Sequence, residues 1–178
     1  MLLVLPGSRR GEVSRLAPVF GEALQRIVAA QPDIRPVIPT TGNVTDLVRD
    51  AVADWPVQPL VLDPRGMEPD AYKRQKAAAF TAADAALAAS GTVSLELAAS
   101  DTPMVIAYDM NWISRQIIGR MLKVDTVTLV NLVSDTRTVP EFIGQDCKPG
   151  PIAEAVLKLL DDPGDQRDAM RLTMERLG

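Results

Sequence analysis

The polar residues of this sequence best placed to do chemistry sit on two glycine turns. An apolar run at the start ends in Pro6-Gly7-Ser8-Arg9, and an alanine-rich run ends in Ser90-Gly91-Thr92, with Glu96 about one helical turn further on. A glycine in such a turn lets the backbone approach a ligand with no Cβ in the way, and the unpaired N–H groups at a helix start suit an anion such as a diphosphate. Arg9 can grip a phosphate through two parallel hydrogen bonds, with the backbone at Gly7 and Ser8 coming close to it. The Glu96 carboxylate can accept hydrogen bonds from the vicinal hydroxyls of a ribose. Together these residues describe a nucleotide pocket at the carboxyl ends of two strands. Each alone has a plainer reading: strand-glycine-helix turns recur in every α/β domain, and a lone helix glutamate is commonly solvated. Neither turn is a Walker loop or a dinucleotide fingerprint. What favours a site is the two turns occurring together, in chain order.

The elements needed to position them can be read from periodicity. Leu2-Leu3-Val4-Leu5 is a continuous apolar run, as expected of a buried parallel strand. Leu16, Val19, Phe20, Ala23, Leu24 and Ile27 repeat at helical spacing, which predicts a helix over 14–30 capped by Ser14, with Pro18 fitting only near a helix start or a break. Strands follow over 35–39 and 57–62, the latter interrupted by Pro59, with a helix over 44–53 between them. Asp63-Pro64-Arg65-Gly66 then forms a turn. A helix over 68–81 carries Lys73-Arg74-Gln75-Lys76 as a solvated face. The strand at 85–88 is assigned from context, because alanine is depleted in sheets. A pocket helix over 93–99, a strand over 103–108, a helix over 112–122 and a last strand over 127–129 complete the alternation. From Pro140 onward the chain reads as helical with breaks, including helices over 152–160 and 165–177. The fold class is therefore α/β: one domain over 1–178, a Rossmann-like parallel sheet flanked by helices.

Bulk properties exclude several function classes. With 47% hydrophobic and 24% charged residues, a disordered chain is excluded. A net charge of −4, from 19 basic and 23 acidic residues, argues against bulk nucleic-acid binding. The single cysteine, Cys147, precludes an internal disulfide, leaves no metal cluster and fits a reducing compartment. No signal peptide and no run approaching the ~20 apolar residues of a spanning helix is present, which predicts a cytoplasmic or peripheral chain. Ile113, Ile117 and Met121 form a stripe on the 112–122 helix, with Arg115, Arg120 and Lys123 elsewhere. That pattern suits either a core helix or one lying on an anionic bilayer.

Leu5-Pro6-Gly7-Ser8-Arg9, Ser90-Gly91-Thr92 with Leu95-Glu96, Pro103-Met104-Val105 with Tyr108, and Asp125 through Asn131-Leu132 resemble, in this order, segments of lipid-A-disaccharide synthase. That family comprises two-domain glycosyltransferases of GT-B architecture. All four segments resemble the second, sugar-nucleotide-binding half; the N-terminal acceptor half is absent from these 178 residues, and Met1 directly before the first core strand favours a trimmed chain. The resemblance implies a hexosyltransferase that moves 2,3-diacylglucosamine from UDP to a diacylglucosamine 1-phosphate (lipid X) with inversion, making the lipid A disaccharide at the cytoplasmic side of the inner membrane. It implies no cofactor or metal. The UDP site would comprise Gly7, Ser8, Arg9, Ser90, Gly91, Thr92, Glu96 and Asn131, with Arg9 and Asn131 supporting catalysis and the uracil near 62–66. The acceptor pocket and general base would belong to the missing domain, in keeping with a sequence that has no histidine, so the isolated chain is expected to be inactive. Two departures stand out. Val130 precedes Asn131 where the family usually has proline, and Asp109 follows Tyr108 where many relatives carry a basic residue, so a positive contact toward a phosphate or lipid headgroup is either missing or supplied elsewhere, for instance by Arg115. Asn131 has an alternative reading as a turn residue bonding local backbone. The final helix is expected to be loose, docked on its own domain or exchanged between chains in a homo-oligomer. Two alternatives remain open at this stage: a non-catalytic nucleotide-binding or interaction domain, and the donor domain of another UDP-sugar enzyme such as an epimerase.

Overall fold

The structure, a computed structural model, describes residues 1–109 and 125–178. The 112–122 helix, its apolar stripe and Arg115 lie outside the described residues. Six parallel strands form one sheet in the order β3-β2-β1-β4-β5-β6. The strands are β1 (Leu2–Leu5), β2 (Pro36–Pro39), β3 (Leu60–Leu62), β4 (Ala85–Ala89), β5 (Met104–Tyr108) and β6 (Glu141–Ile143). Helices α1 (Arg10–Ala30), α2 (Thr45–Ala51), α3 (Pro69–Ala82), α4 (Val93–Ala99), α5 (Leu129–Ser134), α6 (Pro149–Asp161) and α7 (Gln166–Leu177) cover both faces. This is the expected Rossmann-like α/β arrangement.

Alternation along the strands divides the core into two layers. Leu2 and Val4 of β1 and Ala85, Leu87 and Ala89 of β4 pack with α1, α2 and α6, where Phe20, Leu24, Ile27 and Ile152 are buried. Leu3, Leu5, Ala86 and Ala88 face the other way, toward Phe80 of α3, Leu97 of α4, Val130 of α5 and Met170 of α7. Both faces of β1 and β4 are covered, so these strands contain no polar residue. The alanines of β4 form a strand against their propensity, because it lies between β1 and β5 and every one of its residues is buried.

Several boundaries differ from the sequence reading. Helix α1 begins at Arg10, not at Ser14, and runs through Pro18. Ser14 and Pro18 are both exposed, so the Ser14 carbonyl that loses its helical partner faces water, while Phe20, Leu24 and their neighbours anchor the opposite face. The predicted strand over 127–129 is instead the entry to α5, and the sixth strand lies at Glu141–Ile143, within a stretch read as helical. Glu141 Oε1 accepts hydrogen bonds from the backbone N–H of Val127 (3.1 Å) and Thr128 (2.6 Å), and so fixes a helix start there. Pro149-Gly150-Pro151, read as a break, is the first turn of α6, where prolines cost nothing because those N–H groups have no helical acceptor. The last helix docks on its own domain, with Ala169 and Met170 buried beside α4 and α5. Gln166 holds it there: its Oε1 accepts from the Met104 N–H (2.8 Å) and its Nε2 donates to the Met104 carbonyl (2.9 Å).

Candidate nucleotide cleft

The sheet order reverses direction between β1 and β4, and an open α/β sheet leaves a crevice beyond the carboxyl ends of its strands at such a point. A cleft of about 380 Å³ lies there. It is lined by Gly7, Ser8 and Arg9 after β1, by Thr40 and Thr41 after β2, and by Ser90, Gly91 and Thr92 after β4. Glu96 of α4, Lys76 of α3 and Glu12 of α1 complete its polar wall. Seven of the eight residues named from the sequence therefore meet in one cavity; Asn131 does not.

The Gly7–Arg9 turn is shaped by its own helix. Gly7 has φ +116°, a left-handed conformation, and a Cβ there would lie 2.5 Å from Glu12 Oε2. Glu12, at the third position of α1, reaches back to accept hydrogen bonds at Oε2 from the N–H groups of Ser8 (3.2 Å) and Arg9 (3.3 Å). Its other oxygen accepts from Arg9 Nη1 at 3.1 Å. The N–H groups of Ser8 and Arg9, at the entry to α1, are thus already engaged by a carboxylate. The Arg9 guanidinium is tethered on one side, yet its side chain is 81% exposed, which leaves its remaining donors open to an anion in the cleft. Asn43 braces the turn from outside by donating Nδ2 to the Ser8 carbonyl at 3.1 Å.

The second turn is open in the corresponding place. Gly91 has φ +149°, and a Cβ there would meet nothing within 4 Å, so the space beside its backbone is free. Ser94, fully buried, donates its hydroxyl to the Gly91 carbonyl at 3.0 Å and holds the turn onto α4. Glu96 projects from α4 beside the cleft and receives an ion pair from Lys76, with Nζ to Oε2 at 2.6 Å. Lys76 does not belong to the solvated face read from the sequence. Lys73, Arg74 and Gln75 are exposed, whereas Lys76 turns toward the cleft with its ammonium 5.2 Å from the centre of the Phe80 ring.

Asn131 sits in α5 at 1% exposure. Its Nδ2 donates to the Val139 carbonyl (2.9 Å) and its Oδ1 accepts from the Val139 N–H (3.0 Å), so it braces backbone eight residues along the chain rather than the local turn of its plainer reading. The Asp63–Gly66 turn is likewise absorbed in structure. Arg65 bonds Asp63 and reaches across to Asp46 at 2.8 Å, while Arg49 pairs with Asp63 at 3.1 Å. Hydrogen bonds from Arg65 hold the Asp63 carboxyl well below the usual range. The turn is not part of the cleft wall. Sequence reasoning missed Glu12, Lys76, Thr40 and Thr41. Glu12 carries a signal, the three-residue spacing of a capping pair after Arg9; Lys76 carries none, because only the folding of α3 against the sheet brings it to Glu96. Among the described residues no group of three or more His, Cys, Asp and Glu side chains could hold a metal ion.

Comparison with known proteins agrees with the geometry. A family model described as lipid-A-disaccharide synthetase matches residues 1–177. A lipid-A-disaccharide synthase of Ruegeria pomeroyi is 59% identical over all 178 residues, which cover 44% of that protein. One from Rhodospirillum centenum is 44% identical over 168 residues, covering 94% of this chain and 40% of the relative. The chain thus spans less than half the length of these relatives. Among solved structures, a UDP-GlcNAc 2-epimerase from Neisseria meningitidis shares the fold, with a TM-score of 0.55 at 15% identity, over 99% of this chain and 44% of that one.

Proposed function

The chain belongs to the lipid-A-disaccharide synthase family, and from that premise we propose that it is the donor-binding domain of a GT-B glycosyltransferase, holding the UDP of an acylated glucosamine donor. The observation that carries this reading is the cleft at the β1/β4 switch point, with two positive-φ glycines, an exposed arginine and a helix carboxylate in one wall. In this reading Arg9 binds the diphosphate and Glu96 accepts from the ribose hydroxyls. Gly91 lets the donor lie against the backbone where a side chain would stand.

The chemistry then follows from charge. A hydroxyl of the acceptor, a diacylglucosamine 1-phosphate, attacks the anomeric carbon of the donor. The bond from that carbon to the diphosphate oxygen breaks, and UDP departs with the electron pair. Arg9 stabilises the negative charge that grows on the departing oxygen. The acceptor proton goes to a base outside this chain, which has no histidine. The acyl chains of both substrates place the reaction at a membrane surface, so we infer a cytoplasmic enzyme peripheral to the inner membrane. Among the described residues no helix is long and apolar enough to cross a bilayer.

Isothermal titration of the purified chain with UDP tests the reading. Wild type is expected to bind, Arg9→Ala to weaken binding by about tenfold or more, as loss of a charge-assisted hydrogen bond does, and Glu96→Gln to weaken it less. Titration of a folded wild-type chain that shows no UDP binding, or of an Arg9→Ala chain that binds as wild type does, would overturn it.

A further inference from the structure

The cleft carries more charge than a diphosphate site needs, and the charges are paired. Arg9 and Lys76 stand against Glu12 and Glu96 on its wall, each cation bonded to one carboxylate. Arg9 and Glu12 are neighbours on one turn, but Lys76 and Glu96 come from different helices, α3 and α4, which precede and follow β4 in the chain and pack on the same face of the sheet. Lys76 is held in place: its side chain is 34% exposed against 52% for Glu96, and its ammonium rests near the face of Phe80, a residue buried in the core beneath α3.

An acidic side chain in a cleft that takes a dianion is a liability. A carboxylate suits a ribose because it accepts from two hydroxyls at once, but its charge repels a diphosphate a few ångströms away. We propose that Lys76 is a positioning residue that acts through Glu96, neutralising and aiming the Glu96 carboxylate so that it can read ribose hydroxyls beside the diphosphate. This inference rests on the donor-site reading above. Lys76 can do this while Glu96 reads the ribose, because the carboxylate has acceptor sites beyond the one Lys76 uses.

The test is a double-mutant cycle read by isothermal titration with UDP, with unfolding midpoints to confirm that each variant is folded. Lys76→Met is expected to weaken UDP binding about tenfold in the wild-type background, as an uncompensated like charge in a partly screened cleft does. In the Glu96→Gln background the same substitution is expected to change affinity less than about twofold, because no charge remains to neutralise. Lys76→Arg should retain most of the wild-type affinity. If Lys76→Met weakens binding equally in both backgrounds, Lys76 contacts the ligand itself and the inference is overturned; no effect in either background overturns it as well. Should the folded wild-type chain not bind UDP at all, the donor-site reading fails and this inference with it. A wild-type chain that binds and needs Arg9, but is indifferent to Lys76, refutes the inference alone.

Discussion

Two regions of the molecule gather polar side chains, and they use them in opposite ways. At the corner where α5, β6 and α7 meet β5, Asn131 and Gln166 are buried and each pairs with both backbone groups of one residue, Val139 and Met104 respectively. Each amide keeps one N–H and one lone pair, but both side chains are buried and outside the cleft wall, where a ligand does not reach them. In the cleft, Arg9 is tethered by one nitrogen and Glu96 by one oxygen, and both are largely exposed. A residue type that could serve in a site becomes architecture when the fold buries it against backbone groups. Spare capacity facing a cavity, not polarity, separates the two regions.

Substitutions that should separate stability from binding put this difference under the most strain. Asn131→Ala and Gln166→Ala each leave a buried N–H and C=O unpaired, and each is expected to cost about 2–4 kcal/mol in urea unfolding. The UDP affinity of the chains still folded should stay within about twofold of wild type. An Asn131→Ala chain of undiminished stability that no longer bound UDP would dissolve the distinction and return Asn131 to the site.

Gly91→Ala works from the other side of the comparison, with a smaller effect on stability. The space beside Gly91 is empty, so the added methyl collides with nothing, and only the backbone strain at φ +149° remains. That strain is expected to cost about 1–2 kcal/mol. The methyl also occupies the volume in which the donor is proposed to lie, so UDP affinity should fall as well. Gly7→Ala shares the strain but drives a methyl into Glu12, and should therefore be the worse of the pair in unfolding. Equal UDP binding by wild type and Gly91→Ala would mean that the ligand does not approach this turn.

How much of this was legible in the sequence depends on the range of the interaction. An apolar run located β1, helical spacing located α1, and two glycine turns located the cleft, because each of these signals lies within a few consecutive residues; β4 was placed only by its context between other elements. Failures came where distant partners decide. The Val-Thr-Leu triplet at 127–129, β-branched at its first two positions, passes for a strand until Glu141, remote in sequence, supplies the acceptor that starts α5. Glu-Phe-Ile at 141–143 is too short and too polar to announce a strand, and pairs only because β5 presents an edge. Asn131 on sequence alone suits a site and a brace equally well, and only the fold brings Val139 to it. Lys76 lies within a basic run, and nothing local distinguishes it from Lys73.

The lone cysteine offers the mildest contrast, since it lies outside the cleft wall. Cys147 follows β6 and packs partly against the core layer of α1 and α6. Burial, reinforced by the negative charge of Asp109, pushes its thiol up to about 11. The folded protein should therefore hold roughly two-hundredfold less thiolate at pH 8 than an ordinary cysteine with a pKa near 8.5. A disulfide exchange reagent should react correspondingly slowly with the native chain and quickly in urea. The sign for stability follows by linkage: the unfolded thiol ionises first, so this residue makes folding less favourable as pH rises from about 8.5 toward 11 and has no effect below. UDP should not alter the labelling rate, because Cys147 is not part of the cleft wall. Strong protection by UDP would extend the site toward β6 and blur the boundary between the two regions.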